Sequence, residues 1–216
     1  LPVSRTELAA IVAKTLAANS FPDCLIRIYL TGGDASGFIP EGRERLMVLV
    51  DPVRPYPARQ FSEGIALARS MLARTFPLAK STSYLAGVWE TIQARRRGFD
   101  EVVFCDAQGD ILEGTTFSVG VIRGRELITP REDILHAITM EHLVGVAADD
   151  GFKITRAPLS RAILAAADEV FITSSTRELI PVSRLDDERA GLRAPATATQ
   201  RLHQLYLRSA REICGA

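Results

Sequence analysis

Between residues 101 and 129 the sequence repeats one pattern, in which short runs of β-branched and apolar residues are separated by tight turns. EVVFCD, ILEG, TTFSVGVIRG and RELITP each match a strand, with turns at Gln108-Gly109 and Arg123-Gly124. Because tight turns pair neighbouring strands, we predict a β-meander here. Helix-like and strand-like segments interleave around it without a repeat, which is typical of α/β or α+β folds with a mixed sheet.

The first 52 residues predict a helix followed by an antiparallel strand pair. Ser4 and Glu7 match a capping box, and apolar residues at helical spacing continue to about Asn19. CLIRIYLT and RLMVLVD then match two strands joined by a glycine-rich turn. We interpret TGGDASG within that turn as part of a hairpin.

A proline-rich stretch divides the chain. PVRPYPAR, residues 52–59, can continue neither a helix nor a central strand. We therefore predict a small N-terminal domain at 1–52, a linker at 53–58 and a large domain at 59–216. In the large domain we expect one helix from Ser83 to Arg97, with four apolar residues on one face, and a last helix over 199–213; the four are Leu85, Val88, Trp89 and Ile92.

Charge and cysteine content exclude several classes of function. The chain has 26 basic and 26 acidic side chains, so it offers no basic field for nucleic acid or a membrane surface. No apolar run reaches the length of a membrane span. Cys24, Cys105 and Cys214 are far apart and form no C-x-x-C pair, which argues against a disulfide framework or a zinc site and indicates a reducing, cytoplasmic location.

Familiar catalytic and nucleotide-binding motifs are missing, whereas lysine is conspicuously rare. The chain contains no P-loop, no G-x-G-x-x-G after a strand, no G-x-S-x-G and no H-E-x-x-H. It has 23 arginines but only Lys14, Lys80 and Lys153. Each retained lysine is therefore a candidate for chemistry, set against the simpler interpretation of a solvated surface charge.

From residue 80 onward, an ordered set of segments resembles the class IV aminotransferases, which are pyridoxal-phosphate enzymes of fold type IV. The segments are KSTSYL, RRRGFDEVVFCDAQGDILEGTTFSV, ELITPREDILHAITMEHLVGVAADDGFKI and AADEVFITSSTRELIPVSRLDD. That family includes branched-chain and D-amino acid aminotransferases and aminodeoxychorismate lyase. The resemblance implies a two-domain fold with mixed sheets. Members normally carry further residues before a helix like the first one, so the small domain is expected to be incomplete in this chain.

The resemblance also assigns roles around the pyridine ring of the cofactor. Lys80 matches the lysine that forms a Schiff base with pyridoxal phosphate and then carries protons. Glu113 matches the carboxylate that pairs with the pyridine nitrogen. Tyr84 would hydrogen-bond the phenolic oxygen of the cofactor, or simply start its helix. Leu135 would pack on the ring face, with a core leucine as the alternative.

A second group of residues matches the phosphate site of the family. Ile138 and Thr139 would supply backbone N–H groups at a helix start, where the helix dipole favours an anion. Ser175 and Thr176 would add hydroxyl donors from another turn. The chain departs from the family pattern at Ser118, Ala137 and Met140, where members usually have Asn, Gly and Arg.

The expected reaction is transamination between an amino acid and a 2-oxo acid in a homodimer. One alternative is a lyase that eliminates pyruvate from aminodeoxychorismate, and another is a non-catalytic homologue of the fold.

Overall fold

The computed structural model describes residues 2–186 and 196–215. The chain divides into two compact units, Leu1–Pro55 and Tyr56–Ala216. The division falls inside the stretch that the proline pattern singled out as a linker. Within the described residues, no helix combines the length and the hydropathy needed to cross a bilayer.

The first unit contains one helix and two antiparallel strand pairs. Helix α1 begins with the predicted capping box, in which Ser4 Oγ accepts the Glu7 N–H at 3.2 Å and the Glu7 carboxylate accepts the Ser4 N–H at 2.7 Å. The long strands β1 and β4 pair antiparallel, and β2 and β3 form a short hairpin within the glycine-rich segment between them. The elements are α1 Arg5–Ala17, β1 Cys24–Thr31, β2 Ala35–Ser36, β3 Ile39–Pro40 and β4 Arg45–Pro52.

The second unit is built on one eight-stranded sheet with helices along it. Its elements in chain order are α2 Ala58–Glu63, β5 Ile65–Ser70, α3 Leu85–Arg96, β6 Glu101–Cys105, β7 Ile111–Gly114, β8 Ser118–Arg123, β9 Glu126–Thr129, α4 Ile138–Asp149, β10 Lys153–Arg156, α5 Arg161–Ala165, β11 Glu169–Ser174, β12 Glu178–Leu185 and α6 Thr197–Cys214.

The strand order of this sheet is β10-β9-β8-β11-β12-β5-β6-β7. The β10/β9, β12/β5 and β5/β6 pairs are parallel and the other pairs are antiparallel, which confirms the mixed sheet. The predicted β-meander is wrong at its centre, because β7 pairs with β6 while β8 pairs with β9 and β11. Residues 118–122 of β8 are all buried, so this strand lies inside the sheet between two neighbours.

The core of the second unit lies on both faces of the central strands. Val119, Val121 and Ile172 are fully buried in one cluster, and Leu143 of α4 packs with Phe171 in another. The predicted apolar face of α3 is not part of these clusters. Its four residues are exposed in the described chain: Leu85 by 81%, Val88 by 54%, Trp89 by 58% and Ile92 by 44%.

Candidate functional site

Glu113 lies on β7, where the sheet ends, and its side chain points into the protein. It is opposite Phe104 of β6 and is 4% exposed. The next residue must be glycine, because a Cβ on Gly114 would lie 2.1 Å from the ring of Phe117. The Glu-Gly pair thus places a carboxylate in the interior and lets the chain turn closely around Phe117.

Two groups contact the buried carboxylate, and one of its oxygens makes no aligned hydrogen bond among the described residues. Arg74 Nε lies 3.0 Å from Glu113 Oε1, and the Leu135 N–H donates to Oε2 at 3.3 Å. Oε1 has no hydrogen-bond partner among the described residues, since the approach of Arg74 is not aligned for a hydrogen bond. Burial raises the pKa of Glu113, and Arg74 opposes that rise. We call Glu113, Arg74 and Leu135 the carboxylate cluster.

Lys80 lies in the loop between β5 and α3, and its side chain is exposed. Its charge also acts against the raised pKa of Glu113, so the ammonium group is within electrostatic range of the carboxylate cluster. Tyr84 immediately precedes α3, is 40% exposed, and borders a cavity of about 300 Å³ together with Arg74 and Thr115.

The first turn of α4 carries Ile138 and Thr139. The first backbone N–H groups of a helix have no partner within the helix, and no side chain caps them at the start of α4. The Ile138 side chain is 87% exposed, whereas Thr139 is 6% exposed. Thr139 Oγ1 lies 3.4 Å from Ser175 Oγ.

Ser175 and Thr176 form the turn between β11 and β12, with Ser175 exposed and Thr176 half-buried. We call Thr139, Ser175 and Thr176 the hydroxyl cluster. The segment 135–139 contacts both clusters, because the Leu135 N–H binds Glu113 and the Thr139 hydroxyl meets Ser175. One segment of five residues therefore links Glu113 to Ser175.

The departures from the family pattern fit the local structure. Ala137 has φ −85° and ψ 126°, an extended conformation open to any residue, so glycine is not required there. Met140 is 3% exposed and packs in the apolar cluster around Leu143. Ser118 is buried opposite Thr173.

Sequence reasoning missed Arg74, the cation that contacts Glu113. It lies in a segment without periodicity, and the only available signal was that a buried carboxylate requires a cation or donors nearby. A second ion pair was also missed, between the buried Arg177 and the half-buried Glu101: Arg177 Nη2 lies 2.7 Å from Glu101 Oε1, beside a cavity of about 370 Å³. The described residues contain no His, Cys, Asp and Glu cluster suited to a metal ion.

Comparison with known proteins gives one family. The family model described as amino-transferase class IV matches residues 1–185. A putative branched-chain-amino-acid aminotransferase of Methanocaldococcus jannaschii is 28% identical over 213 residues, which is 95% of this chain and 74% of that protein. A D-alanine aminotransferase of Listeria monocytogenes is 28% identical over 225 residues, 100% of this chain and 77% of that protein.

Solved structures are similar over nearly the whole chain. The branched-chain amino acid aminotransferase of Escherichia coli has a TM-score of 0.82 at 26% identity and covers 94% of this chain and 71% of its own. A putative 4-amino-4-deoxychorismate lyase of Legionella pneumophila has a TM-score of 0.84 at 21% identity, covers 96% of this chain and 78% of its own, and shares the fold. Another branched-chain aminotransferase structure, with a TM-score of 0.84 at 25% identity, contains pyridoxamine 5'-phosphate and covers 96% of this chain and 72% of its own.

Proposed function

Since this chain belongs to the class IV aminotransferases, we propose that Lys80, the carboxylate cluster and the hydroxyl cluster form its active site. Pyridoxal phosphate is the cofactor. The reaction is the transfer of an amino group between an amino acid and a 2-oxo acid. When bound, the cofactor withdraws electrons from the substrate α-carbon, which makes its hydrogen acidic.

The observation that carries the proposal is the buried Glu113 carboxylate, whose Oε1 makes no aligned hydrogen bond among the described residues. Arg74 Nε lies 3.0 Å from that oxygen without making an aligned hydrogen bond, and a protonated pyridine nitrogen can donate one. The Leu135 N–H and Arg74 hold the carboxylate in place. In our proposal Glu113 keeps the ring nitrogen protonated.

Lys80 is the proposed covalent anchor and proton carrier. The other two lysines occupy different surroundings: Lys14 lies on α1 in the first unit, and Lys153 lies 2.9 Å from Glu126 at the start of β10. The Lys80 amine takes the proton from the substrate α-carbon and would deliver it to C4′ of the bound cofactor, which is the proton shift that transamination requires. Tyr84 and Leu135 are proposed to contact the phenolic oxygen and the ring face.

The hydroxyl cluster is proposed to bind the phosphate. The free N–H groups of Ile138 and Thr139 and the positive end of the α4 dipole favour a dianion. Thr139, Ser175 and Thr176 add hydroxyl donors, and the 3.4 Å separation of two of these hydroxyls allows both to reach one phosphate.

The proposal is tested with purified protein, pyridoxal phosphate, and a panel of amino acids paired with 2-oxo acids. Leucine, valine and D-alanine are suitable donors, with 2-oxoglutarate as acceptor. We expect amino transfer that requires both Lys80 and an acceptor. Pyruvate release from aminodeoxychorismate without an acceptor would instead identify a lyase, and no cofactor binding at all would indicate a non-catalytic homologue.

A second copy of this chain is the proposed partner of the exposed face of α3. Leu85 and Trp89 lie on this face, and Phe76 and Leu78 in the preceding loop are 68% and 72% exposed. Exposed large apolar side chains in one region are typical of protein interfaces. Sedimentation should show a dimer, and Trp89→Glu should weaken it strongly, whereas a wild-type monomer that is fully active would contradict the proposal.

We also propose a reducing, cytoplasmic location. Cys24, Cys105 and Cys214 are free thiols in the structure, and Cys105 is fully buried. Burial raises the pKa of the Cys105 thiol to about 11, so it is unreactive in the folded protein. Cell fractionation tests the location directly.

A further inference from the structure

The charge of the buried Glu113 carboxylate depends on its neighbour Arg74. Within the described part of the chain, the ion pair with Arg74 is the one salt bridge that Glu113 makes. The Arg74 side chain is itself only 13% exposed, so both charges are largely removed from water. A buried carboxylate without a cation takes up a proton more readily than one that is paired. The charge that Glu113 carries in the cofactor-free protein is therefore linked to Arg74.

The two side chains attract each other by charge and share little hydrogen bonding. Arg74 Nε lies 3.0 Å from Glu113 Oε1, yet neither atom has a hydrogen-bond partner among the described residues. The hydrogen bond that Arg74 does make to the carboxylate, from Nη2 to Oε2, is 3.5 Å long. An attraction between charges does not need the alignment that a hydrogen bond needs. Arg74 can thus favour the ionised carboxylate while Oε1 can still accept an aligned hydrogen bond.

The other groups that act on Glu113 cannot replace this charge. Burial raises the pKa of Glu113, and Arg74 is the strongest influence that lowers it, ahead of the Leu135 N–H and Lys80. The Leu135 N–H is neutral. Lys80 is exposed, and its amine is assigned to the cofactor in the proposed function. A guanidinium group stays protonated throughout the physiological pH range, so Arg74 supplies a permanent positive charge.

We propose that Arg74 is a positioning residue that keeps Glu113 ionised in the cofactor-free protein, so that the site is ready to receive a protonated ring nitrogen. The inference rests on the proposed function, since it takes Glu113 as the partner of that nitrogen. Arg74 acts through Glu113. Without Arg74, Glu113 would be a neutral acid over a wider pH range and would have to release its proton before pairing with the ring.

The test measures how tightly the full chain binds pyridoxine 5'-phosphate from acidic to slightly alkaline pH. This ligand has the ring nitrogen and the phosphate of the cofactor but no aldehyde that could react with a lysine. Wild type is compared with Arg74→Gln, which removes the charge, and with Arg74→Lys, which keeps it. Arg123→Gln is the matched control, because it removes a half-exposed arginine that is paired with Glu126. The ligand phosphate titrates near pH 6 in every sample, so each affinity is divided by that of wild type at the same pH.

Arg74→Gln should bind the ligand about tenfold more weakly than wild type at about pH 6, and this difference should decrease steadily as the pH rises. The release of one proton permits a change of at most about tenfold in relative affinity per pH unit. Arg74→Lys and Arg123→Gln should follow wild type. The double variant Arg74→Gln with Glu113→Gln should not show the pH dependence of Arg74→Gln, because an amide has no proton to release.

An independent reading comes from carbon NMR of the carboxyl groups in the cofactor-free protein. The signal of Glu113 is identified by its absence in Glu113→Gln. This carboxyl should titrate at a higher pH in Arg74→Gln than in wild type, and identical titrations would overturn the inference.

Three binding results would also overturn it. A loss of affinity in Arg74→Gln that does not change with pH, or failure of this variant to fold at any pH, would assign Arg74 a structural role. No loss at any pH would assign it no role. A different result bears on the proposed function: if wild type and Glu113→Gln bind the ligand equally well, the pairing of Glu113 with the ring nitrogen fails, whatever Arg74 does.

Discussion

Two regions of the same sheet contain the same three residue types and arrange them differently. In the carboxylate cluster, Glu113 has Arg74 beside it and Lys80 within electrostatic range. At the other end of the sheet, Glu126 on β9 has Lys153 Nζ at 2.9 Å and Arg123 Nη2 at 2.6 Å. Each region has one glutamate, one arginine and one lysine.

The difference between the regions is how completely the carboxylate is partnered. Glu126 also accepts a hydrogen bond from Thr155, and Thr155, Lys153 and Arg123 together lower its pKa to about 2. Glu113 is buried, its pKa is raised, and Oε1 makes no aligned hydrogen bond among the described residues. A fully hydrogen-bonded carboxylate fixes two strands to each other, whereas a buried carboxylate that is not fully hydrogen-bonded can accept a further hydrogen bond from a ligand.

The largest expected effect is the difference in activity between variants of the two lysines. Lys80→Ala should reduce amino transfer at least about a thousandfold, because it removes both the covalent anchor and the proton carrier. Lys153→Ala removes only an ion pair with Glu126 and should leave activity near wild type. Steady-state rates of amino transfer in the two variants test this difference. Equal rates in Lys80→Ala and Lys153→Ala would contradict the proposed role of Lys80.

Replacing the glutamates by glutamine tests the carboxylates themselves. Glu113→Gln should still bind the cofactor but should slow hydrogen removal from the substrate α-carbon about a hundredfold, since an amide does not hold the ring nitrogen as a cation. Glu126→Gln serves as the matched control. Single-turnover rates give the comparison, and an unchanged rate in Glu113→Gln would assign Glu113 a purely structural role.

Replacing the two arginines should lower the stability of the protein by different amounts. Arg74→Met leaves a buried carboxylate without its cation and should lower the free energy of unfolding of the cofactor-free protein by about 3 kcal/mol near neutral pH. This loss in the free energy of unfolding should become smaller as the pH falls, because Glu113 has a raised pKa and is protonated at a higher pH than an ordinary glutamate. Arg123→Met, at a 48% exposed side chain, should cost at most about 1 kcal/mol. Urea unfolding at several pH values tests both expectations, and a deficit in Arg74→Met that does not change with pH would contradict the first.

The smallest effect is the acid dependence at Glu126. Its pKa is about 2 in the folded protein against an ordinary value of 4.5, so its contribution to stability is complete above pH 4.5 and is lost as the pH falls toward 2. In a plot of the thermal unfolding temperature against pH, Glu126→Gln should have a smaller slope than wild type between pH 4.5 and about 2. An unaltered slope would show that the three donors do not act on Glu126.

Local signals in the sequence were enough to predict single elements. The capping box at Ser4 predicted α1, the alternation in CLIRIYLT predicted β1, and the order of segments after Lys80 predicted the family. These features depend on neighbouring residues or on a known order of motifs.

Long-range features were outside the reach of the sequence. The pairing of β8 with β11 joins strands nearly fifty residues apart, and the tight turns of the region suggested a meander instead. The ion pair of Arg74 with Glu113 and the contact of Thr139 with Ser175 likewise depend on the folded sheet. The exposure of Trp89 could not be predicted either, because periodicity identifies the apolar face of a helix but does not show what covers that face.

The central claim is that Lys80 carries the cofactor, and trapping the covalent bond tests it most directly. The protein is incubated with pyridoxal phosphate, reduced with borohydride, digested, and analysed by mass spectrometry. We expect the pyridoxyl group on Lys80 and on neither Lys14 nor Lys153, with no labelled peptide in Lys80→Ala. Labelling of Lys153 or Lys14 in wild type, or labelling that persists in Lys80→Ala, would contradict it.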